Sequence, residues 1–99
     1  MDYRIENSGK DACVVFTGDI TFSENVSFRQ LLRDIEEIDI DKCVFDLTNV
    51  DMVDSAGLGM FLIAREQAET AGWRISVKGA QGHVASMLKL TKLSDLLDG

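Results

Sequence analysis

A serine flanked by carboxylates and glycines is the feature of this sequence best suited to chemistry. Ser55 directly follows Asp54, Asp51 lies four residues upstream, and Gly57 and Gly59 come just after. The serine falls at a predicted helix start, as the N-cap or in the first turn, where unpaired amides and the helix dipole favour negative charge. A phosphate here would add roughly −1.5 to −2 charges at pH 7. The alternative is an ordinary N-cap serine, worth around 1 kcal/mol of stability.

Three other chemistries fit these residues poorly. A serine hydrolase elbow needs a glycine two residues before the serine, where Val53 stands, and the lone His83 is expected as a surface or cap residue of a later helix. A dinucleotide fingerprint starting at Gly57 would place its third glycine on Leu62. Asp46, Asp51 and Asp54 come in the wrong order for a magnesium-dependent phosphoacceptor site and are expected to be solvated. We therefore predict no metal, no cofactor and no enzymatic activity.

Charge and composition favour a protein partner. Seventeen acidic residues against ten basic ones give a net charge of −7, which disfavours nucleic acid and anionic lipid. The longest apolar stretches, residues 12–16 and 58–64, are far shorter than the roughly 20 residues of a membrane span, so no membrane insertion is expected. Cys13 and Cys43 lie in β-like runs, which indicates buried thiols. Without a signal-peptide pattern at the start, we expect a cytoplasmic protein.

Alternating strands and helices are predicted to position the serine. Strands at residues 3–6 and 12–17 should form an antiparallel hairpin across the turn-forming residues 7–11. The second strand is apolar at nearly every position, and a third strand predicted at residues 42–47 is apolar at residues 43–45 and at Leu47. This pattern predicts strands covered on both faces. A last strand is predicted at residues 74–78.

Three to four helices complete the pattern. The first is predicted to begin at a capping box of Thr21 and Glu24 and to run to about Asp39. The second should run from about Ser55 to Ala71 and end at Gly72, which supplies a left-handed stop. A third helix carries Val84, Met87 and Leu88, and a final turn is expected around Leu93, Leu96 and Leu97. The predicted inward-facing residues are Phe28, Leu31, Leu32, Ile35 and Ile38 in the first helix, and Leu58, Phe61, Leu62, Ala64, Ala68 and Ala71 in the second.

The predicted fold class is α/β, a single domain over residues 1–99. It has a mixed sheet of about four strands, with an antiparallel N-terminal hairpin and three to four packed helices. The loops after the second and third strands, residues 18–22 and 48–54, should emerge at the same sheet edge, where open α/β sheets place binding sites. Phe22, Met52 and Val53 are candidate exposed anchors there, or they fold back on their own helices. Gly57 and Gly59 should each cost roughly 1 kcal/mol in a helix, so another backbone, from the sheet or from a partner, is expected close by.

The sequence closely resembles the STAS domains typified by bacterial anti-sigma-factor antagonists. The specific part is residues 44–50 (VFDLTNV) leading into residues 53–59 (VDSAGLG), with weaker support from residues 18–20 (GDI) and 84–91 (VASMLKLT). The resemblance implies Ser55 as the phosphoacceptor and Asp54 as its flanking acid. It also implies a partner that is both anti-sigma factor and serine kinase, and a PP2C-type, metal-dependent phosphatase that reverses the reaction. The predicted partner-binding residues are Asp19, Thr21, Phe22, Asp51, Met52, Asp54, Ala56 and Gly57.

Two functional hypotheses follow. The first is a phosphorylation-switched regulator that binds an anti-sigma factor or serine kinase while Ser55 is bare and releases it once Ser55 is phosphorylated. The second is a constitutive STAS subunit of a membrane lipid transporter or another multiprotein complex. Thr21, where many antagonists carry aspartate, is interpreted as a helix cap, with a second phosphorylation there as the alternative. Nucleotide binding, proposed for some STAS domains, stays a secondary hypothesis.

Overall fold

A computed structural model describes residues 1–91, 93 and 95 of the chain. The elements in this part are the strands β1 (Asp2–Ser8), β2 (Asp11–Thr17), β3 (Lys42–Asn49) and β4 (Arg74–Lys78), and the helices α1 (Asn25–Glu36), α2 (Ser55–Ala71) and α3 (Gly82–Lys89). One turn of 3-10 helix, Phe22–Glu24, precedes α1. The α/β class is confirmed, and the predicted bounds of α2 and β4 coincide with the observed ones. Of the predicted final turn, Leu93 is buried, whereas Leu96 and Leu97 lie outside the described residues.

The four strands form one mixed sheet in the order β1-β2-β3-β4. The hairpin β1–β2 is antiparallel, as predicted, and the two following pairs are parallel. Both crossovers step in the same direction across the sheet, so right-handed connections place α1 and α2 on the same face. On the opposite face the alternate side chains of β2 and β3 are half-buried, so the predicted coverage of both faces is confirmed in full on the helix-bearing face only. In β2, Ala12, Val14 and Phe16 are buried under the helices, while Cys13 and Val15 between them are only half-buried.

Four phenylalanines form the centre of the core between sheet and helices. Phe16, Phe28, Phe45 and Phe61 come from β2, α1, β3 and α2 respectively, and all four are fully buried. Every pair of rings is in contact range, with centroid separations from 5.2 to 6.4 Å. Aromatic pairs at such separations add to the free energy gained from burying their apolar area. The core therefore fixes both crossover helices against the two central strands.

The helices bury slightly different faces from those predicted. The first four predicted residues of α1 are buried, but the helix ends at Glu36, so Ile38 lies beyond it and is only half-buried. In α2 the buried face includes Met60, while Leu62 and Ala71 are exposed. Gly72 ends α2 with a φ of 88°, the predicted left-handed stop. No helix in the described part of the chain is long and apolar enough to cross a membrane.

Candidate functional site

The loops after β2 and β3 are joined by backbone hydrogen bonds at the carboxyl edge of the sheet. The amide of Gly18 donates to the Asn49 carbonyl at 3.2 Å, and the amide of Ile20 donates to the Met52 carbonyl at 3.0 Å. The amide of Asp54 then donates back to the Ile20 carbonyl at 3.3 Å. The prediction that both loops emerge at one edge is thus confirmed, and the segment before Ser55 is held on a fixed backbone.

Asp54 caps α2 and also holds the start of the first helical segment. Its Oδ1 accepts from the Gly57 amide at 2.7 Å, and its Oδ2 accepts from the Phe22 amide at 3.2 Å. The predicted capping box at Thr21 is therefore wrong. The Thr21 hydroxyl lies 3.1 Å from the Ser23 hydroxyl and makes no cap hydrogen bond. A carboxylate from the other loop performs the capping instead.

Ser55 is the first residue of α2, and it is exposed. Its hydroxyl has no hydrogen-bond partner among the described residues. Because Asp54 occupies the N-cap position, the interpretation of Ser55 as an ordinary capping serine is wrong. The hydroxyl is presented to solvent at the positive end of a 17-residue helix.

Gly57 is the position where the chain's own backbone comes close to α2. A side-chain carbon built at Gly57 would lie 2.3 Å from the Ile20 carbonyl oxygen and 2.8 Å from Cγ1 of Val53. These distances explain why only glycine fits beneath the loop. Gly57 is also buried, so it lies away from any surface that a partner could contact, contrary to its place among the predicted partner-binding residues. Ala56, its neighbour, is half-buried.

The other predicted site residues surround Ser55 with different degrees of exposure. Phe22 and Met52 are 69% and 41% exposed, so neither folds back into the core. Val53 is only 1% exposed, and its prediction as a docking anchor is wrong. Asp19 and Asp51 are exposed, while Thr21 and Asp54 are half-buried. The edge therefore combines exposed apolar side chains with carboxylates around one free hydroxyl.

His83 also reaches this edge, which the sequence did not predict. Its Nε2 lies 3.3 Å from the Val53 carbonyl oxygen, so the start of α3 contacts the loop that leads to Ser55. The side chain is exposed, as expected for a surface histidine. Because His83 and Val53 are 30 residues apart in the sequence, no local pattern could predict this contact.

Asp46 has a structural role, because its carboxylate bonds Thr48 near the end of β3. Its Oδ1 accepts from the Thr48 amide at 3.0 Å and from the Thr48 hydroxyl at 2.6 Å. Burial alone would raise the pKa of this carboxyl, but the Thr48 hydrogen bonds and the nearby Lys78 lower it below its usual value. Asp46 is thus half-buried and bonded rather than solvated. No cluster of three or more metal-ligating side chains exists in residues 1–91, 93 and 95.

Solved structures with the same fold include two anti-sigma factor antagonists and a sulfate transporter family protein. The chain superposes on the unphosphorylated anti-sigma factor antagonist SpoIIAA of Bacillus with a TM-score of 0.82 and 12% identity, covering 97% of this chain and 85% of that one. An anti-sigma factor antagonist from Mycobacterium paratuberculosis gives a TM-score of 0.83 and 18% identity, and the match covers 98% of this chain and 82% of that one. A sulfate transporter family protein from Wolinella succinogenes gives a TM-score of 0.77 and 15% identity, and the match covers 91% of this chain and 77% of that one.

Comparison of the sequence with curated proteins and with family models gives two further findings. No curated protein sequence matches the chain significantly. The model of the STAS domain matches residues 3–98, nearly the whole chain. This chain therefore belongs to the STAS domain family.

Proposed function

We propose that this protein is a phosphorylation-switched regulator of the anti-sigma-factor-antagonist kind. With Ser55 bare it binds an anti-sigma factor that is also a serine kinase, and with Ser55 phosphorylated it releases that partner. A PP2C-type phosphatase restores the bare form. The protein acts in the cytoplasm and has no enzymatic activity of its own.

The observation that carries this proposal is the free hydroxyl of Ser55. The side chain is exposed and makes no hydrogen bond within the described chain, while Asp54 supplies the helix cap. A kinase can therefore modify Ser55 without breaking an interaction that the fold needs. The fold shared with anti-sigma factor antagonists supports the same proposal.

The proposed switch works by charge at one surface. Phosphorylation adds roughly −1.5 to −2 charges at pH 7 to a site that already has Asp51 and Asp54 beside it. A partner that contacts the apolar Phe22 and Met52 over a neutral hydroxyl would have to bury this charge without a counter-ion, which is strongly unfavourable. Release therefore needs no change of fold.

The modification is an ordinary phosphoryl transfer. The Ser55 oxygen attacks the γ-phosphorus of ATP, a new oxygen–phosphorus bond forms, and the bond between that phosphorus and the oxygen bridging to ADP breaks. The hydroxyl proton passes to a base of the kinase. The positive end of the α2 dipole, next to Ser55, tolerates the new phosphate.

Mass spectrometry tests this assignment directly. The purified chain is incubated with ATP and, one at a time, with the purified anti-sigma-factor kinases of its source organism. We expect one phosphate per chain, on Ser55, and none in Ser55→Ala. Thr21→Val is the matched control and should accept as much phosphate as the unmodified chain. A stoichiometric phosphate on any other residue contradicts the proposal.

The structural similarity to a sulfate transporter family protein favours a second candidate, a constitutive subunit of a membrane transporter complex. In that case the same edge would be a permanent interface. Co-purification separates the two: a complex that is indifferent to Ser55→Asp and to ATP supports the subunit, whereas loss of the complex on that substitution supports the switch.

A further inference from the structure

Gly59 lies one helical turn after Ser55, and no contact within the described chain requires a glycine at this position. A side-chain carbon built there would meet no atom within 4 Å, in contrast with the close contacts at Gly57. Gly59 lies inside α2 and has no left-handed φ that would call for glycine. A glycine inside a helix costs roughly 1 kcal/mol relative to alanine. Because the fold gains nothing from Gly59, this cost points to a contact from outside the chain.

The positions that follow Gly59 continue an outward-facing stripe along α2. Ser55, Gly59, Leu62 and Glu66 recur at four- and three-residue spacing, which places them on one side of the helix. Leu62 is 39% exposed and the adjacent Ile63 is 56% exposed. Along this stripe, the free Ser55 hydroxyl is followed by Gly59, which has no side chain, and then by the exposed aliphatic side chains of Leu62 and Ile63.

A shallow groove between α1 and α2 adjoins this stripe and is acidic. Its lining includes Ile63, Glu66 and Gln67 from α2 and Glu36 from the end of α1. Two carboxylates beside an exposed isoleucine favour a ligand that carries both apolar and basic side chains. The net charge of −7 on the whole chain adds to this preference.

We propose that a helix of the partner protein packs across α2 at Gly59. Its apolar side chains contact Leu62 and Ile63, and its Lys or Arg side chains lie against Glu36 and Glu66. Packed helices usually keep their axes 8–10 Å apart, depending on the side chains at the contact, and a glycine at the crossing permits the closest approach. This inference rests on the proposed function, because the helix belongs to the partner whose binding Ser55 controls.

The basic part of this interface does not interfere with the switch at Ser55. Glu66 lies 11 positions after Ser55 in the chain, which at about 1.5 Å per residue is roughly 16.5 Å along the helix axis. Exposed charges separated by much more than the Debye length of about 8 Å at physiological ionic strength are largely screened. Basic groups held at Glu66 therefore cannot neutralise a phosphate on Ser55.

The test compares Gly59→Ala and Gly59→Leu with Ser8→Leu, a matched control in the exposed β1–β2 hairpin at the opposite end of the sheet. The probe is the purified anti-sigma-factor kinase that phosphorylates the chain in the assay above. Gly59→Ala should raise the melting temperature by about 5 °C, since alanine is the better helix former and its side chain meets nothing. The same variant should bind the kinase about tenfold more weakly, and Gly59→Leu about a hundredfold, because the added atoms hold the partner away.

Charge reversal tests the orientation of the partner. Glu66→Lys should weaken binding about tenfold, while Asp11→Lys, which makes the same charge change at the opposite edge of the sheet, should leave it within about twofold. If the kinase binds all Gly59 variants as it binds the unmodified chain, while Ser55→Glu abolishes binding, this inference is wrong and the proposed function stands. If no such kinase binds or phosphorylates the unmodified chain, the proposed function fails and the inference fails with it.

Discussion

Replacing Asp54 tests how the edge around Ser55 is held together. In Asp54→Ala, the Gly57 amide loses its 2.7 Å acceptor and the Phe22 amide loses its 3.2 Å acceptor. Loss of an N-cap side chain costs typically about 1 kcal/mol and up to about 2. The exposed Phe22 amide can turn to water, so the second bond adds only about 0.5 kcal/mol. The free energy of unfolding should therefore fall by about 1.5 kcal/mol, and by up to about 2.5 kcal/mol if the cap is worth its upper value.

Urea unfolding followed by circular dichroism measures this change, and two variants calibrate it. Asp54→Asn keeps a good capping oxygen for Gly57 but loses the second carboxylate oxygen, so it should cost only about 0.5 kcal/mol. Asp51→Ala removes an exposed carboxylate from the same loop without removing a hydrogen bond found in the structure, and it should stay within about 0.5 kcal/mol of the unmodified chain. Equal stabilities of Asp54→Ala and Asp51→Ala would refute the capping role of Asp54.

Three further predictions concern the rest of the fold. Gly57→Ala should lower the free energy of unfolding by at least about 2 kcal/mol in urea titrations, because its new carbon collides with a carbonyl oxygen 2.3 Å away; an unchanged midpoint would contradict the close approach. Tyr3 donates to Asp34 Oδ2 at 2.7 Å and lowers the pKa of that carboxyl below its usual value of 3.8. Tyr3→Phe should therefore cost roughly 1 kcal/mol at neutral pH. The part of this contribution that comes from the ionised Asp34 is fully present above the usual pKa of 3.8 and is lost as the pH falls from there through the lowered pKa. The cost of Tyr3→Phe should therefore shrink over that range, and a cost that is the same there as at neutral pH would contradict this. Burial raises the pKa of Cys43 to about 12, so a thiol reagent at pH 8 should label the half-buried Cys13 first and Cys43 only on unfolding, as mass spectrometry of the labelled peptides would show.

Local sequence signals were sufficient for several elements. The bounds of α2 follow from its apolar periodicity and from Gly72, whose positive φ other residues adopt only at a cost. The hairpin β1–β2 follows from the turn-forming residues between its strands. These elements are encoded within a few neighbouring residues, so a single sequence reveals them.

The errors arise where distant residues decide the structure. The capping box at Thr21 looked complete locally, but Asp54, 32 residues from Phe22, supplies the acceptor instead. The apolar runs in β2 and β3 predicted burial on both faces, but the direction of the two crossovers leaves one face without either crossover helix. Val53 looked like a surface residue of a polar loop, yet its pairing with Ile20 turns its side chain inward. None of these outcomes has a signal within the local sequence.

Local sequence places Ser55 at the start of a helix but leaves open whether its hydroxyl caps that helix or is free. The choice depends on which of two neighbours, Asp54 or Ser55, takes the extended backbone of the N-cap. Asp54 does so, with φ −92° and ψ −179°, and only the three-dimensional structure reveals it.

In the proposed switch, negative charge on the Ser55 side chain controls partner binding, and affinity measurements on charge variants isolate the effect of that charge. Binding of the purified anti-sigma-factor kinase is measured by calorimetry for the unmodified chain, Ser55→Ala, Ser55→Glu and the control Ser8→Glu, which places the same charge at the opposite end of the sheet. We expect Ser55→Ala and Ser8→Glu to bind within about twofold of the unmodified chain and Ser55→Glu to bind at least about tenfold more weakly. Equal affinity of Ser55→Glu and the unmodified chain would show that charge on Ser55 does not control binding.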